Sequence, residues 1–395
     1  MKICIVGAGL GGLSAALALL QKGFRVTVLE QASVLGEIGA GVQLGPNAVG
    51  VLYRLGLQTA LEQVTCETLG KRVRLWNTGQ TWPLFDLGTV AREMYGYPYL
   101  TVHRADLHRV MVDAVRALHP DALVLNAKLH SLQASSDGVA LHLTDGRVFE
   151  ADAVIGADGV HSMVRAALFG DDAPRESGVM AWRGVIDASK LPAHMREPYG
   201  TNWVGPGAHV VQYPLRQGAL MNFVGAIEGT HWTVESWSER GTREECLADF
   251  EGWHEEVQAM IQAIDVPYKW VLKVRDPMDT WSRGPITLLG DACHPTLPFL
   301  AQGAAMAIED GYMLARALAL CPTEPAQAFA RYEAVRKDRT ARVVTGSAAN
   351  THRFHNPALA HAQGAADYVD REWNEERVKE RYEWLFKYDI DAVVL

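Results

Sequence analysis

Several features that mark other classes of protein are scarce in this sequence. Its five cysteines are scattered, odd in number and never spaced as C-x-x-C. This usage predicts reduced thiols and no bound metal. No apolar run approaches the ~20 residues that a membrane-spanning helix needs. There is no basic block and the net charge is −9, so neither nucleic acid nor a membrane is an expected partner.

The chain also has no internal repeat and no low-complexity linker. The first predicted strand begins at residue 2, which leaves no room for a signal peptide and favours a cytoplasmic protein. The 395 residues suffice for two domains that share a large core. Hydrophobic residues make up 48% and charged residues 21%, which is ordinary for a globular protein.

The first thirty residues have the pattern of a βαβ unit. An apolar strand enters the glycine-rich turn 7–12, a small-residue helix leaves it, and a second apolar strand ends on Glu30. In this G-x-G-x-x-G turn, Gly7 allows the tight bend, Gly9 admits a pyrophosphate and Gly12 lets the helix pack closely. The helix start offers free N–H groups to phosphates, and Glu30 can accept hydrogen bonds from a ribose diol. The unit predicts an adenine dinucleotide, either NAD or FAD.

Residues 36–47 form a second glycine-rich stretch, with four glycines in ten residues. Such a stretch predicts a loop that can lie against something flat, although a plain surface loop is the alternative. Gln43 lies within this stretch. Asn47 is predicted to cap a helix at 48–55.

The remaining pattern predicts an α/β fold with an α+β insertion: a Rossmann-like dinucleotide-binding domain, interleaved with a mostly β domain and followed by C-terminal helices. Strands are predicted at 2–6, 26–30, 72–76, 99–102, 122–125, 128–134, 138–144, 147–150, 151–155, 179–186, 209–215 and 220–227. Helices are predicted near 11–22, 48–55, 105–118, 161–168, 241–249, 252–264, 303–319, 325–352 and 362–386. The nucleotide-binding domain comprises 1–70, 100–172 and 281–350, the β-rich domain 71–99 and 173–280, and the helical segment 351–395.

Three separated motifs together specify the family. They are the glycine turn 7–12, the Asp158-Gly159 motif and the Gly290-Asp291 motif. Their combination resembles the single-component FAD-dependent aromatic hydroxylases of the p-hydroxybenzoate hydroxylase superfamily, over essentially the whole chain. The resemblance implies a flavoprotein monooxygenase that hydroxylates a small phenolic or N-heteroaromatic carboxylic acid with O₂, through a C4a-hydroperoxyflavin. NADH or NADPH would dock transiently, because the sequence has only one G-x-G-x-x-G.

The resemblance also assigns the cofactor site. Asp158 would lie near the pyrophosphate, Asp291 would bond ribityl and ribose hydroxyls, and Arg104 would reach the phosphate and ribityl region. A buried acid after an apolar strand needs a partner, which hydroxyl groups can provide; the alternative for Asp291 is a helix-capping acid. The helix that starts near residue 303 would point its dipole at the flavin. The predicted cofactor-binding residues are Gly7, Gly9, Gly12, Glu30, Gln43, Arg104, Asp158, Asp291, Gly303 and Ala304.

The candidate catalytic residues are His209 and Tyr213. With Val211 they alternate along one strand, so they share a face and span about 13 Å along it. Such a pair could bracket an aromatic ring, although a core histidine and a core tyrosine are the alternative. The pair resembles that of 3-hydroxybenzoate 6-hydroxylases and 6-hydroxynicotinate 3-monooxygenases, in which the histidine is proposed to deprotonate the substrate hydroxyl. Salicylate hydroxylases are less similar, since phenylalanine tends to replace the tyrosine.

The rest of the predicted pocket leaves the substrate open. Pro298 and Phe299 stand where these subfamilies carry glutamine or histidine. Arg183 could bind a carboxylate or bridge the two domains. Further pocket candidates are Gln43, Val211, Trp203 and Phe223. The main interpretation is a 3-hydroxybenzoate 6-hydroxylase-like enzyme that could form a homodimer. The alternatives are a decarboxylative hydroxylase, another flavin-dependent oxidase or reductase, and a non-enzymatic flavin-holding protein.

Overall fold

The computed structural model describes residues 1–36, 40–136, 138–229 and 239–395. The strands are β1 (Lys2–Val6), β2 (Arg25–Leu29), β3 (Gly41–Leu44), β4 (Thr65–Glu67), β5 (Gly70–Leu75), β6 (Thr81–Asp86), β7 (Leu100–His103), β8 (Leu123–Val124), β9 (Leu129–Ser135), β10 (Gly138–Leu143), β11 (Val148–Ala151), β12 (Ala153–Gly156), β13 (Arg175–Asp187), β14 (Tyr199–Gly205), β15 (Ala208–Leu215), β16 (Leu220–Glu228), β17 (Tyr268–Val274), β18 (Ser282–Arg283) and β19 (Ile286–Leu288). The helices are α1 (Leu10–Gln21), α2 (Pro46–Arg54), α3 (Gln58–Glu62), α4 (Thr89–Tyr95), α5 (Arg104–Leu118), α6 (Met163–Phe169), α7 (Arg243–Asp249), α8 (Glu255–Ala263), α9 (Gly303–Leu320), α10 (Pro325–Phe354), α11 (Ala362–Glu372) and α12 (Glu375–Phe386).

A six-stranded sheet carries the predicted βαβ unit. Its order is β18-β19-β12-β1-β2-β8, and β1 pairs in parallel with both β2 and β12. β12 is apolar throughout and β1 is apolar after Lys2, because helices, among them α1 and α10, pack against the sheet. In parallel sheets of this kind ligands bind at the carboxyl ends of the strands. Each predicted cofactor motif follows one of these strands directly: β1, β2, β12 or β19.

A seven-stranded sheet forms the second domain, in the order β17-β13-β16-β15-β14-β5-β6. One face packs under α7 and α8 in a core rich in tryptophan and phenylalanine. The other face packs against residues 297–300 and the helices α10 to α12. The interleaved α/β architecture is therefore confirmed, while the exact domain boundaries stay predictions. β5 and β6 belong to this sheet because β5 pairs with β14. The sequence pattern predicts the same domain for their segment.

Three local predictions are wrong. The stretch 36–47 is not wholly a loop, because Gly41–Leu44 pairs with β7 as a strand; residues 37–39 lie outside the described residues. α2 begins at Pro46 with Gly45 as its N-cap, so Asn47 lies inside the first turn and does not cap it. The predicted helix 362–386 is two helices, because Asn374 accepts a hydrogen bond from the Arg377 N–H and starts α12.

All five cysteines lie among the described residues as buried free thiols. Within the described ranges, no helix has the length and apolarity needed to cross a membrane. The same ranges contain no group of three or more His, Cys, Asp or Glu side chains arranged to hold a metal ion.

Candidate active site

The glycine turn after β1 is shaped by backbone packing on one side and open space on the other. Gly7 has φ of +105°, and a Cβ there would lie 2.4 Å from the Ala157 carbonyl oxygen. A Cβ on Gly12 would lie 2.0 Å from the Gly7 carbonyl oxygen. A Cβ on Gly9 would meet nothing within 4 Å, and no side chain caps the start of α1. The uncapped N–H groups of this helix start fit a pyrophosphate.

Glu30 lies at the end of β2, where it is joined to the glycine turn. One carboxylate oxygen accepts the Ala8 N–H at 2.9 Å, and the other accepts the Ala32 N–H at 2.8 Å. Each oxygen can accept a further hydrogen bond. The carboxylate is thus positioned at the turn and keeps capacity for a ribose diol.

Asp158 organises the turn after β12. Its carboxylate accepts hydrogen bonds from the Ser162 hydroxyl at 2.5 Å and from the Met163 N–H at 2.7 Å. Burial raises the pKa of Asp158, and these hydrogen bonds oppose the rise. Arg165 then connects this turn to the next motif, because its guanidinium donates to the Ala292 carbonyl at 3.2 Å.

Asp291 lies on the turn after β19, with its side chain exposed to solvent. Protein surrounds the carboxyl closely enough to raise its pKa, while His294 and Arg104 oppose the rise. Arg104, at the start of α5, has its own pKa lowered by burial and raised by Asp291. An accessible carboxylate near a half-buried guanidinium fits the hydroxyl-rich and phosphate-bearing middle of FAD.

Asp310 on α9 supports this motif from behind, and sequence reasoning missed it. One carboxylate oxygen accepts the Gly290 N–H at 3.0 Å and lies 2.6 Å from His294 Nε2. The other accepts from Arg336 Nε at 2.7 Å. Only its place on a predicted helix was visible in the sequence.

The start of α9 faces the stretch that contains β3. Gln302 is its N-cap and makes no side-chain cap, so the N–H groups of Gly303 and Ala304 remain at an open helix end. The Asn47 amide donates to the Gln302 side-chain oxygen at 3.0 Å. The Gln43 side-chain oxygen accepts from the Tyr99 hydroxyl at 3.0 Å. The predicted flavin-facing residues therefore lie at one junction.

Tyr213 lies where the seven-stranded sheet meets the nucleotide-binding domain. Its ring would be 2.5 Å from a Cβ placed on Gly41 of β3, and the Gly41 N–H donates to Asn222 beside it at 2.8 Å. Burial raises the pKa of the Tyr213 phenol far above its usual value. The phenol is therefore a neutral hydrogen-bond donor at this junction.

His209 is 1% exposed and lies on the same face as Val211 and Tyr213. Its ring centroid is 4.8 Å from that of Phe299, and its Nδ1 lies 2.6 Å from Nε2 of His355. Burial, and then His355, lower the pKa of His209 well below its usual value. The imidazole is thus neutral. His355 ends α10 in the segment predicted only as helical, so no sequence signal connected it to His209.

Arg183 also lies on this face. It pairs with Val224, which pairs with Val211 across the sheet. Its guanidinium lies 5.6 Å from the Tyr268 ring and 5.0 Å from the Trp270 ring. Burial and then the charge of Arg104 lower the pKa of Arg183 to about 10. Arg183 is therefore close enough to Arg104, a predicted cofactor-binding residue, to interact with it electrostatically.

The structure does not bring every predicted pocket residue together. Phe223 and Trp203 lie on the opposite face of the sheet, in the core under α7 and α8. Phe223 contacts Phe250 there, with ring centroids 6.1 Å apart. Successive strand residues point to opposite faces, which separates Phe223 from His209. Pro298 is exposed, whereas Phe299 is buried against His209.

Comparisons with known proteins agree with this geometry. The FAD binding domain family model matches residues 1–347. A 3-amino-4-hydroxybenzoate 2-monooxygenase of Streptomyces platensis is 38% identical over 99% of this chain and 97% of its own. A 6-hydroxynicotinate 3-monooxygenase of Pseudomonas fluorescens is 41% identical over 89% and 91%. A 3-hydroxybenzoate 6-hydroxylase of Klebsiella oxytoca is 37% identical over 87% and 86%.

A solved structure extends the likeness to the fold. Klebsiella pneumoniae HpxO, complexed with FAD and uric acid, matches with a TM-score of 0.81 and 27% identity over 99% of this chain and 96% of its own. The glycine turn, the open start of α9 and Asp291 also fit FAD. The resemblance stated from the motifs is thus confirmed, and the chain belongs to the FAD-binding family of flavoprotein aromatic-ring monooxygenases.

Proposed function

We propose that this monooxygenase hydroxylates a small aromatic carboxylic acid that already carries a ring hydroxyl, with His209 as the base. The observation that carries the proposal is the placement of a neutral, buried His209 on the same sheet face as Tyr213, whose ring meets Gly41 at the junction with the nucleotide-binding domain. The relatives named above act on aromatic acids with a ring hydroxyl, which supports this substrate class.

Two side chains of this face have separate roles: His209 deprotonates the substrate, and Tyr213 orients it. FAD bound at the glycine turn and Asp291 would supply the electrophilic oxygen, with electrons from NADH or NADPH. His209 accepts the proton of the substrate hydroxyl, which makes the ring electron-rich. A neutral imidazole suits this step, whereas an imidazolium has no lone pair for it. Tyr213, held as a neutral phenol, donates a hydrogen bond that orients the ring.

The side chains on this sheet face and beside His209 limit which acids can bind. Phe299 contacts His209 where the compared subfamilies have a polar side chain, so this position offers the substrate ring an apolar contact. Among the described residues, Arg183 and Lys71 lie on the same sheet face as His209 and can meet a substrate carboxylate. A homodimer and a cytoplasmic location stay predictions.

The test is a substrate panel on the purified FAD-loaded enzyme. Hydroxylated benzoates, aminohydroxybenzoates and hydroxynicotinates are compared for stimulated NADH or NADPH oxidation, with product identification and CO₂ measurement. We expect at least one hydroxy acid to give a hydroxylated product, and its methyl ether to give none. Released CO₂ would identify decarboxylative hydroxylation. A panel without any hydroxylated product would contradict the proposed substrate class.

His209→Ala tests the base directly with the best acid from the panel. We expect a loss of roughly 10²–10⁴-fold in hydroxylation, with FAD content unchanged because His209 lies on the β-rich domain. Tyr213→Phe should lose less, since orientation is its only role. NADH consumption should exceed product, with H₂O₂ making up the difference. A His209→Ala enzyme with wild-type rate and coupling would show that His209 is only a core residue.

A further inference from the structure

We propose that His355 and Glu228 carry the substrate proton from His209 to solvent. This inference rests on the proposed function, in which His209 accepts that proton. Nδ1 of His209 lies 2.6 Å from Nε2 of His355, and Nδ1 of His355 lies 2.9 Å from a carboxylate oxygen of Glu228. The His355 side chain is 1% exposed and that of Glu228 is 48% exposed. The three groups form an unbroken line from the core to the surface.

Backbone hydrogen bonds hold this line in place. The Gly207 N–H donates to the His355 carbonyl at 3.1 Å, and the Glu228 N–H donates to the Gly207 carbonyl at 2.9 Å. The end of α10 is thereby joined to the β14–β15 turn and to the end of β16. The rings of Phe299 and Phe354 flank His209, with centroids 4.8 and 5.0 Å away. This apolar wall directs the proton along the line.

Glu228 determines which nitrogen of each ring carries hydrogen. An ionised carboxylate can only accept, so Nδ1 of His355 must be the N–H that donates to it. Nε2 of His355 then has a lone pair and accepts from Nδ1–H of His209. Nε2 of His209 consequently has the free lone pair that a base needs. A tautomer fixed through its second nitrogen is a recurrent way of preparing histidine for catalysis.

The transfer balances without any further reactant. The substrate O–H bond breaks and its proton goes to Nε2 of His209. The Nδ1 proton of His209 passes to Nε2 of His355, and the Nδ1 proton of His355 passes to the Glu228 carboxylate. The substrate gains the negative charge that Glu228 loses, and Glu228 releases its proton to water. The reverse passage resets both rings when the product hydroxyl is reprotonated.

Burial explains why a lone histidine would be insufficient. Burial lowers the pKa of both histidines, and Glu228 partly opposes this for His355. An imidazolium retained at His209 would be a buried, desolvated charge. Among the described residues, the other titratable group that acts on His355 is His352, which lowers its pKa from one turn earlier on α10. Passing the proton onward leaves both rings neutral.

The experiment follows substrate deprotonation in the FAD-loaded enzyme by rapid mixing with the best hydroxy acid from the panel. The readouts are the phenolate absorbance of the bound acid and proton release to a pH-indicator dye. We expect Glu228→Gln and His355→Phe each to slow both signals about tenfold or more, with FAD content and substrate Kd near wild type. Glu228→Asp should retain part of the rate, and added formate should partly rescue Glu228→Gln, because position 228 is half exposed.

Controls separate this inference from a structural role and from the proposed function. His361→Gln changes an exposed histidine that follows the same helix and lies outside the hydrogen-bonded line, so its rates should be those of the wild type. If His355→Phe loses FAD, Glu228→Gln carries the test, because its side chain reaches solvent. Wild-type proton release in Glu228→Gln would overturn the relay. If proton release is wild-type in Glu228→Gln while His209→Ala is impaired, the relay is wrong but His209 remains the base. A His209→Ala enzyme without impairment would contradict both the relay and the role of His209.

Discussion

Lys71 is a cation on the substrate face, and no carboxylate of the described residues alters its pKa. Lys71 pairs with Gly200 of β14. Because the next residue, Thr201, pairs with Gln212 of β15, Gly200 aligns with Tyr213. Only a glycine therefore separates Lys71 from Tyr213 across the sheet. Its ammonium lies 4.7 Å from the Tyr99 ring centroid. Burial lowers the pKa of Lys71 to about 7, with no carboxylate of the described residues among the causes. A partly desolvated ammonium is costly unless a partner is supplied, and a substrate carboxylate would supply one.

We expect Lys71→Met to raise the KM of the acid substrate by roughly 10–100-fold, the equivalent of one charge-assisted hydrogen bond. In the wild type the KM should increase as the pH rises through about 7, since the ammonium is lost. This pH dependence should flatten in Lys71→Met. Steady-state kinetics across pH, with the matching carboxamide as control ligand, measure both effects. If only Arg183→Gln raises the KM, Arg183 is the carboxylate partner instead.

The β1–α1 turn shows how two glycines of one motif serve different purposes. Gly12 is required for folding, because a Cβ there would overlap the Gly7 carbonyl at 2.0 Å. Gly9 has ordinary φ of −70° and open space where its Cβ would stand. The motif pattern alone assigns both to nucleotide binding. The geometry separates the glycine that shapes the turn from the glycine that leaves room for the phosphates.

Gly9→Ala should therefore fold like the wild type but hold FAD at least about tenfold more weakly, a loss of ~1.4 kcal/mol in binding. Gly12→Ala should fail to fold or lose most of its stability. Circular dichroism and thermal unfolding of the apoprotein report the fold, and FAD titration reports the binding. A Gly9→Ala protein that retains FAD as tightly as the wild type would contradict the placement of the pyrophosphate at this turn.

A buried charge network connects the distant parts of the protein. Glu309 and Asp310 of α9 form ion pairs with Arg336 and Arg339 of α10, with N–O distances of 2.7 to 2.8 Å. Asp310 also holds the turn that carries Asp291. Breaking a buried pair leaves an uncompensated charge, which is far costlier than losing an exposed one. The network makes the cofactor motif dependent on the packing of two long helices.

Asp310→Asn should lower the free energy of unfolding by ~3–5 kcal/mol at pH 7. Burial alone would raise the pKa of Asp310, but His294 and Arg336 lower it to about 2. A lowered carboxyl pKa stabilises the fold above the unfolded value of about 3.9. That stabilisation is lost as the pH falls through about 2, so the difference between variant and wild type should shrink on acidification.

Denaturant unfolding of both proteins from pH 7 to 3 measures this effect. The matched control is Asp276→Asn, which removes an exposed ion pair with Arg175 and should cost less than about 1 kcal/mol. An Asp310→Asn protein as stable as this control at pH 7 would show that the buried network does not stabilise the fold.

Local sequence was sufficient where neighbouring residues determine the structure. The glycine turn, Glu30 at the end of β2 and the alternation of His209 and Tyr213 all depend on periodicity or on backbone geometry over a few residues. The same reasoning failed for Asn47, whose capping preference lost to hydrogen bonds with Gln302 and Glu309 from a helix more than 250 residues away.

Long-range packing determined the rest of the candidate site. His355 is 146 residues from His209 in sequence, yet the two rings are in hydrogen-bond contact. Phe223 was a predicted pocket residue, but its side chain lies in the core on the opposite face of the sheet. It pairs with Gln212, and this strand register determines the face on which its side chain lies. The contact between His209 and His355 depends on the packing of α10 against the seven-stranded sheet. Burial at this contact lowers the pKa of His209 and keeps its imidazole neutral, which the residue type alone does not determine.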